Sequence, residues 1–296
     1  SWLVCDDSGG VVFPLTINLN TSTGAVVSAS IGQGIAFNGR TDIEGIAYSP
    51  SRNTVFVSDE TGPVIAEYNL TGGNPIRTVS LPAIYNTIRT NYSLESLTIQ
   101  RSGEKSMWTA NEEALSVDGS LSTTSTGSWV RIQKFDSNLN RAGQWAYKTD
   151  SIKGDSPWTT ADRSGVSDLC ILPNGQLLVL EREFGGVGFP SFRNRIYLAD
   201  FTNATDVSNY SSLIGSTFTP ISKQLLWEGT FASNNFEGLA LGPELTNNYY
   251  SLMMISDGDS GLETSLYSLK IANIPEPMTG VLLVFGALLA KARFNS

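Results

Sequence analysis

The chain has 296 residues, with 19 Lys and Arg against 28 Asp and Glu, a net charge of −9 and no histidine. Without an imidazole there is no Ser-His-Asp triad, no Cys-His pair, no HExxH zinc site and no histidine general base. The acidic excess also argues against nucleic acid as a partner, because phosphate-backbone binding rests on clustered Lys and Arg.

Short runs rich in Val, Ile, Leu and Tyr, bounded by Gly, Pro, Asn or Ser, predict strands throughout, and no amphipathic helix of ten or more residues stands out. The chain opens on Trp2-Leu-Val-Cys-Asp-Asp-Ser-Gly9, which aligns with Val55-Phe-Val-Ser-Asp-Glu-Thr-Gly62. A further strand follows each, at 11–19 and 64–70, so the first unit is read as starting at its second strand, with a first strand expected upstream.

The segment Asp42-Ile-Glu-Gly-Ile-Ala-Tyr48 recurs as Ser93-Leu-Glu-Ser-Leu-Thr-Ile99, Val166-Ser-Asp-Leu-Cys-Ile171 and Asn235-Phe-Glu-Gly-Leu-Ala-Leu241. Each places one acid, Glu44, Glu95, Asp168 or Glu237, at the mouth of an apolar strand. A second strand ends 13 to 20 residues after that acid, at Asp59, Asn111, Glu181 and Asp257, and Asp6 takes this place in the first unit. Asp7, Glu60, Glu112 and Arg182 lie one residue further on. Two more strand-like runs follow in most units, so each unit reads as a four-stranded antiparallel meander. Five units are visible and a sixth is allowed upstream. Such repeats predict an all-β fold, a β-propeller that shields its sheet edges by radial repetition. Insertions at 116–128, 149–165 and 185–194 lengthen the units. The two cysteines, Cys5 and Cys170, are too few for a disulfide framework and read as small apolar core residues.

The chain ends on Ile274-Pro-Glu-Pro277, an apolar run from Met278 to Ala290 and a tail carrying Lys291 and Arg293. Thirteen apolar residues fall short of the roughly 20 a membrane-crossing helix needs. The order of these parts resembles the PEP-CTERM sorting signal of bacterial surface proteins. That resemblance implies export to the cell envelope or surface, processing by exosortase-type machinery, and membrane contact only through this segment. The boundaries expected are 1–273 for the propeller and 274–296 for the signal.

In a propeller the start of the first strand and the end of the second fall on one rim, so the acid columns converge. Glu44, Asp59, Glu60, Glu95, Asp168, Glu237 and Asp257 are the expected metal ligands. Oxygen donors without His or a thiolate cluster suit Ca²⁺, and Mg²⁺ less well. Arg40, Arg89, Arg163 and Arg193 lie in flanking loops as candidate anion binders, and Arg182 interrupts the acid column.

Together, Asp42-Ile-Glu-Gly-Ile-Ala, Val57-Ser-Asp-Glu, Leu94-Glu-Ser-Leu, Asn111-Glu-Glu, Val179-Leu-Glu-Arg-Glu-Phe184, Asn235-Phe-Glu-Gly-Leu-Ala and Ile255-Ser-Asp resemble the phytase-like family described as "esterase-like activity of phytase". The resemblance spans Trp2 to about Ile271. It implies an extracytoplasmic propeller and a hydrolase, commonly of phosphate esters. The residue reading adds Glu181 and Glu112 as candidate bases and Arg182 as an anion clamp. The alternative is a non-catalytic, Ca²⁺-stabilised propeller that binds extracellular polysaccharide or protein, with Trp129, Trp145, Trp158 and Trp227 as stacking surfaces.

Overall fold

The Val- and Ile-rich runs fold as strands because β-branched and aromatic side chains pack well on a pleated surface, and Gly, Asn and Ser turns end them. The computed structural model describes residues 2–6, 9–153, 163–185, 191–231, 234–246, 248–258 and 264–272, and the backbone alone of 286–287 and 292–293. Blade one contains β1 (Trp2–Asp6), β2 (Val11–Leu19), β3 (Val26–Ile31) and β4 (Ile35–Ala36). Blade two contains β5 (Ile43–Ser49), β6 (Thr54–Asp59), β7 (Val64–Asn69) and β8 (Arg77–Thr78). Blade three contains β9 (Leu94–Ile99), β10 (Met107–Asn111), β11 (Trp129–Phe135) and β12 (Arg141–Lys148). Blade four contains β13 (Arg163–Ile171), β14 (Leu177–Gly185), β15 (Ser191–Asp200) and β16 (Ser222–Phe231). Blade five contains β17 (Asn235–Leu245), β18 (Tyr249–Asp257) and β19 (Ser265–Ala272), with β20 (Gly286–Ala287) and β21 (Ala292–Arg293) paired along β19.

Strand order follows the chain in blades two to five, and the first strands β5, β9, β13 and β17 stand next to one another around the channel. This is the five-bladed propeller that the repeats predict. Blade one differs, because β4 extends the β3 edge of β2 and no described strand lies on the inner side of β1. The ring closes where Thr246 N–H donates to Thr21 O at 3.0 Å and Ser268 Oγ donates to Gly24 O at 2.5 Å. The Pro275-Glu-Pro277 motif and most of the apolar run lie outside the described residues. Among the described residues no helix is long and apolar enough to cross a membrane.

The core lies in the seams between blades. Val55, Val57 and Tyr68 pack towards blade one, Phe56 and Ile65 towards blade three, and Val179 and Tyr197 face blade three from blade four. Leu178, Leu180 and Ile196 meet Phe236 and Leu252 of blade five. Because side chains alternate along a strand, adjacent residues of a second strand point into opposite seams. Cys170 is a free thiol buried in the core between blades four and five, and Cys5 is half-buried with its Sγ donating to Glu44 O at 3.4 Å. The 116–128 insertion also serves the core: Asp118 accepts from Arg131 Nε at 2.6 Å, and both side chains are fully buried. Val207 and Ile221 N–H donate to Gln144 O and Ala146 O, so the 202–221 loop covers the outer edge of β12.

Candidate metal centre at the channel mouth

Each inner strand of blades two to five bulges near its start, and β17 slips a second time between Leu241 and Glu244. The first slip falls between Ile43 and Ile46, Leu94 and Ser96, Val166 and Asp168, and Phe236 and Gly238. The extra residue in a bulge is left out of the ladder and re-aimed. It is Glu44 (with Gly45), Glu95, Ser167 and Glu237, respectively. A β-carbon on Gly45 meets Ser58 Oγ at 2.5 Å and Leu97 N at 2.8 Å, so glycine after the acid is what lets β9 approach β5.

This register corrects two sequence alignments. Asp168 lies one residue past the bulge, and Ser167 occupies the position of the glutamates. Leu239 N–H and Leu169 N–H donate to its carboxylate at 2.6 and 2.7 Å, tying blade four to blade five rather than offering a metal ligand. The residue is half-buried but its carboxyl is enclosed; burial pushes it up to about 8, against the pull of those amides. Asp257 pairs with Asn235, whereas Ser256 pairs with Phe236, so Asp257 belongs to the column of Glu60, Glu112 and Arg182.

Alternation then separates the two columns. Asp59, Asn111 and Glu181 turn towards the preceding blade and away from the mouth. Asp59 is buried and accepts from Thr41 N–H at 3.0 Å and Asp42 N–H at 3.4 Å, so it shapes the loop entering β5 and does not itself join the ligands. Asn111 Oδ1 accepts from Arg131 N–H at 3.0 Å. Glu181 is fully buried; it accepts from Tyr147 Oη at 2.7 Å, Lys223 Nζ at 2.5 Å and Asp150 N–H at 2.9 Å. Lys223 also pairs with Asp150 at 2.8 Å, and Tyr197 donates to Asp150. Glu181 is thus the anchor of a closed network between blades three and four, which corrects its reading as a base.

The next column points along the seam to the following blade. Glu60 Oε1 accepts from Ser93 N–H at 2.9 Å. Glu112 packs against Gly165, where a β-carbon comes within 2.6 Å of Glu112 Cγ. Arg182 crosses to blade five and bridges Glu112 Oε1 at 3.0 Å and Glu237 Oε1 at 2.8 Å. With the bulge glutamates this makes one acidic cluster. Asp42, Glu44 and Glu60 bring carboxylate oxygens within 4.8 Å of one another and are half-buried. Asp42 was not among the expected ligands. Its signal lies in Asp-Ile-Glu, where acids two apart share one face of the strand entrance.

The electrostatics follow from crowding. Burial and the charges of Glu44, Glu112, Glu237 and Glu60 hold the Glu95 carboxyl well above the ordinary range. Burial raises Glu60, Ser93 N–H pulls it back, and Asp42 pushes it up again. Burial lifts Glu112 to about 7 although Arg182 opposes it. Six carboxylates here face two guanidiniums, Arg182 and Arg163. An all-oxygen, half-buried and undercompensated set fits a hard divalent cation.

Of the four arginines expected in loops, Arg163 and Arg193 lie in β13 and β15 instead, and all but Arg163 are engaged elsewhere. Arg89 donates to Ala114 O at 3.0 Å and Gly119 O at 2.8 Å. Arg40 lies 3.9 Å from Asp59, and Arg193 pairs with Glu228 at 3.1 Å. Arg163 instead stacks over Tyr92, with Cζ 5.6 Å from the ring centroid.

Fold and site define a five-bladed propeller with an acidic, cation-ready channel mouth. The chain matches the phytase-like family described as "Esterase-like activity of phytase" over residues 2–260 and belongs to it. Among solved structures it is similar to Kuenenia stuttgartiensis hydrazine synthase, at 11% identity and a TM-score of 0.39, covering 92% of this chain and 59% of that one. It is also similar to a mutant of the Synechocystis apocarotenoid oxygenase, at 12% identity and a TM-score of 0.36, covering 80% of this chain and 48% of that one. The chain therefore spans about half the length of these structures. No curated protein matches it.

Proposed function

We propose that the protein is an exported, surface-associated hydrolase of phosphate esters that works with a divalent cation, Ca²⁺ in preference to Mg²⁺, at the channel mouth. The observation that carries this reading is the convergence of Asp42, Glu44 and Glu60 within 4.8 Å, in a cluster whose carboxylates outnumber its guanidiniums. These three residues are the ligands, with the Glu95 and Glu237 carboxyls beside them. A divalent ion bound there supplies Lewis acidity towards a phosphoryl oxygen and lowers the pKa of water.

The chain's own residues do the rest. Asp59 holds the entry loop through the Thr41 and Asp42 amides, which fixes Asp42. Arg182 engages Glu112 Oε1, which leaves Oε2 to carry the proton. With its carboxyl raised to about 7, Glu112 gives that proton to the leaving alcohol oxygen near neutral pH and regains one from the attacking water. Arg182 therefore acts as a positioning residue for Glu112 and Glu237 rather than as a free clamp. Export is supported by the Pro-Glu-Pro, apolar and basic order of 274–296; fractionation of cells that express the full gene product tests it.

Incubating the protein with p-nitrophenyl phosphate in Ca²⁺ and in chelator tests the activity. Metal-dependent release that Glu44→Gln and Glu60→Gln abolish supports the reading; its absence in the wild type refutes it. The second reading is a non-catalytic propeller that uses Ca²⁺ structurally and binds polysaccharide or protein. The commitment of Arg40, Arg89, Arg182 and Arg193 to internal partners favours it. A Ca²⁺-dependent rise in melting temperature with no turnover decides for it.

A further inference from the structure

Arg163 stands apart from the other arginines of the mouth. It opens β13 two residues before Gly165, the glycine that packs on Glu112. It stacks on Tyr92, whose neighbour Ser93 donates its N–H to Glu60. Arg163 is half-buried, and its charge acts on both Glu60 and Glu112. Among the described residues no hydrogen bond or ion pair engages it, whereas Arg182 is shared by Glu112 and Glu237. A guanidinium lodged over an aromatic ring, with no hydrogen bond to the described residues, has N–H groups to offer, and their fork matches two oxygens of a tetrahedral oxyanion.

We propose that Arg163, braced by Tyr92, is the anchoring cation for one phosphoryl group, and that the mouth selects monophosphate esters of uncharged alcohols over polyphosphorylated ones. The selection follows from what surrounds the anchor. The acids clustered with it include Glu60, Glu95, Glu112 and Glu237, and the last two already hold Arg182. With the divalent cation and Arg163 both engaged by the first phosphoryl group, a second meets carboxylates and a guanidinium already shared between two of them, and like charges across a site work against binding. This inference rests on the cation-dependent reading above.

The test uses the full chain and measures binding, so turnover is not needed. Calorimetric titration of inorganic phosphate into Ca²⁺-loaded protein is expected to weaken by about tenfold or more in Arg163→Met, the loss of one charge-assisted pair, and by only a few-fold in Arg163→Lys. Both variants are expected to keep the wild-type circular dichroism spectrum, and Arg163→Met, which removes a positive charge acting on Glu60, is expected to bind Ca²⁺ at least as tightly as the wild type. Glycerol 2-phosphate is expected to bind at least about tenfold more tightly than inositol hexakisphosphate. Unchanged phosphate affinity in Arg163→Met overturns the anchor, and equal or tighter binding of the hexakisphosphate overturns the selectivity. If Ca²⁺ does not bind the wild type, the metal reading fails by itself. The anchor is then judged in metal-free protein by phenylglyoxal modification of Arg163: protection by phosphate supports it, and unimpeded modification overturns it.

Discussion

Replacing Glu60 with Gln removes one charge from the Asp42, Glu44 and Glu60 triad and leaves an oxygen to accept from Ser93 N–H, which now sits 2.9 Å from Oε1. The three carboxylate oxygens lie within 4.8 Å, where each like-charge pair costs about 1 kcal/mol at the bulk-water dielectric and about 3.5 kcal/mol at an effective dielectric of about 20. The variant loses two of the three pairs. Because the triad is half-buried and screened by salt, the bulk-water limit is the safer one, and metal-free Glu60→Gln is expected to be about 1–2 kcal/mol more stable than the wild type. For a domain of this size that raises Tm by about 2–8 °C. Calcium reverses the order, because ligand at about a hundredfold excess over Kd stabilises the wild type by about 2.7 kcal/mol. The variant lacks one ligand and gains little. Thermal melts by circular dichroism in chelator and in Ca²⁺ measure both effects. A Glu60→Gln protein that is less stable in chelator, or that gains as much from Ca²⁺ as the wild type, refutes the argument.

Arg182→Met strips the shared cation from Glu112 and Glu237 and is expected to cost about 3–5 kcal/mol at neutral pH, with much of the loss recovered near pH 5, as read by denaturant melts at both pH values. Glu112 titrates at about 7 when folded against an ordinary 4.5. A raised folded pKa means a contribution present below about 4.5 and lost as pH rises through about 7. Metal-free wild type should therefore lose about 3 kcal/mol relative to Glu112→Gln across that window, which urea melts from pH 4 to 8 measure. Glu181→Gln leaves Lys223 with one carboxylate in place of two; it is expected to lower stability by about 1–3 kcal/mol while phosphate and Ca²⁺ binding stay at wild-type values, whereas a selective loss of binding would restore Glu181 to the site.

The fold was legible because the Glu-Gly-Leu-Ala type segments recur once in each of blades two to five, and a unit that recurs with strand-length spacing has few other architectures open to it. The acids were legible as a set but not one by one. A bulge adds one residue to a strand without any mark in the composition, so matching acid to acid put Asp168 with the glutamates when Ser167 holds that place. Alternation was available from the sequence and separates Asp59 from Glu60 and Glu181 from Arg182, because neighbours on a strand face opposite seams. The partners of the buried Glu181 were not available, since Tyr147, Asp150 and Lys223 come from different strands and loops. The arginines were least legible. Position in the sequence says nothing about whether a guanidinium caps the Ala114 and Gly119 carbonyls, as in Arg89, or sits over a tyrosine at a strand start, as in Arg163.

Phosphate release from a simple monoester, followed while Ca²⁺ is titrated into chelator-treated wild type, Glu44→Gln and Glu60→Gln protein, tests the metal centre most directly. The account predicts release that saturates with Ca²⁺ in the wild type and is lost in both variants. Release that is independent of Ca²⁺, or unchanged when Glu44 and Glu60 lose their charge, contradicts it.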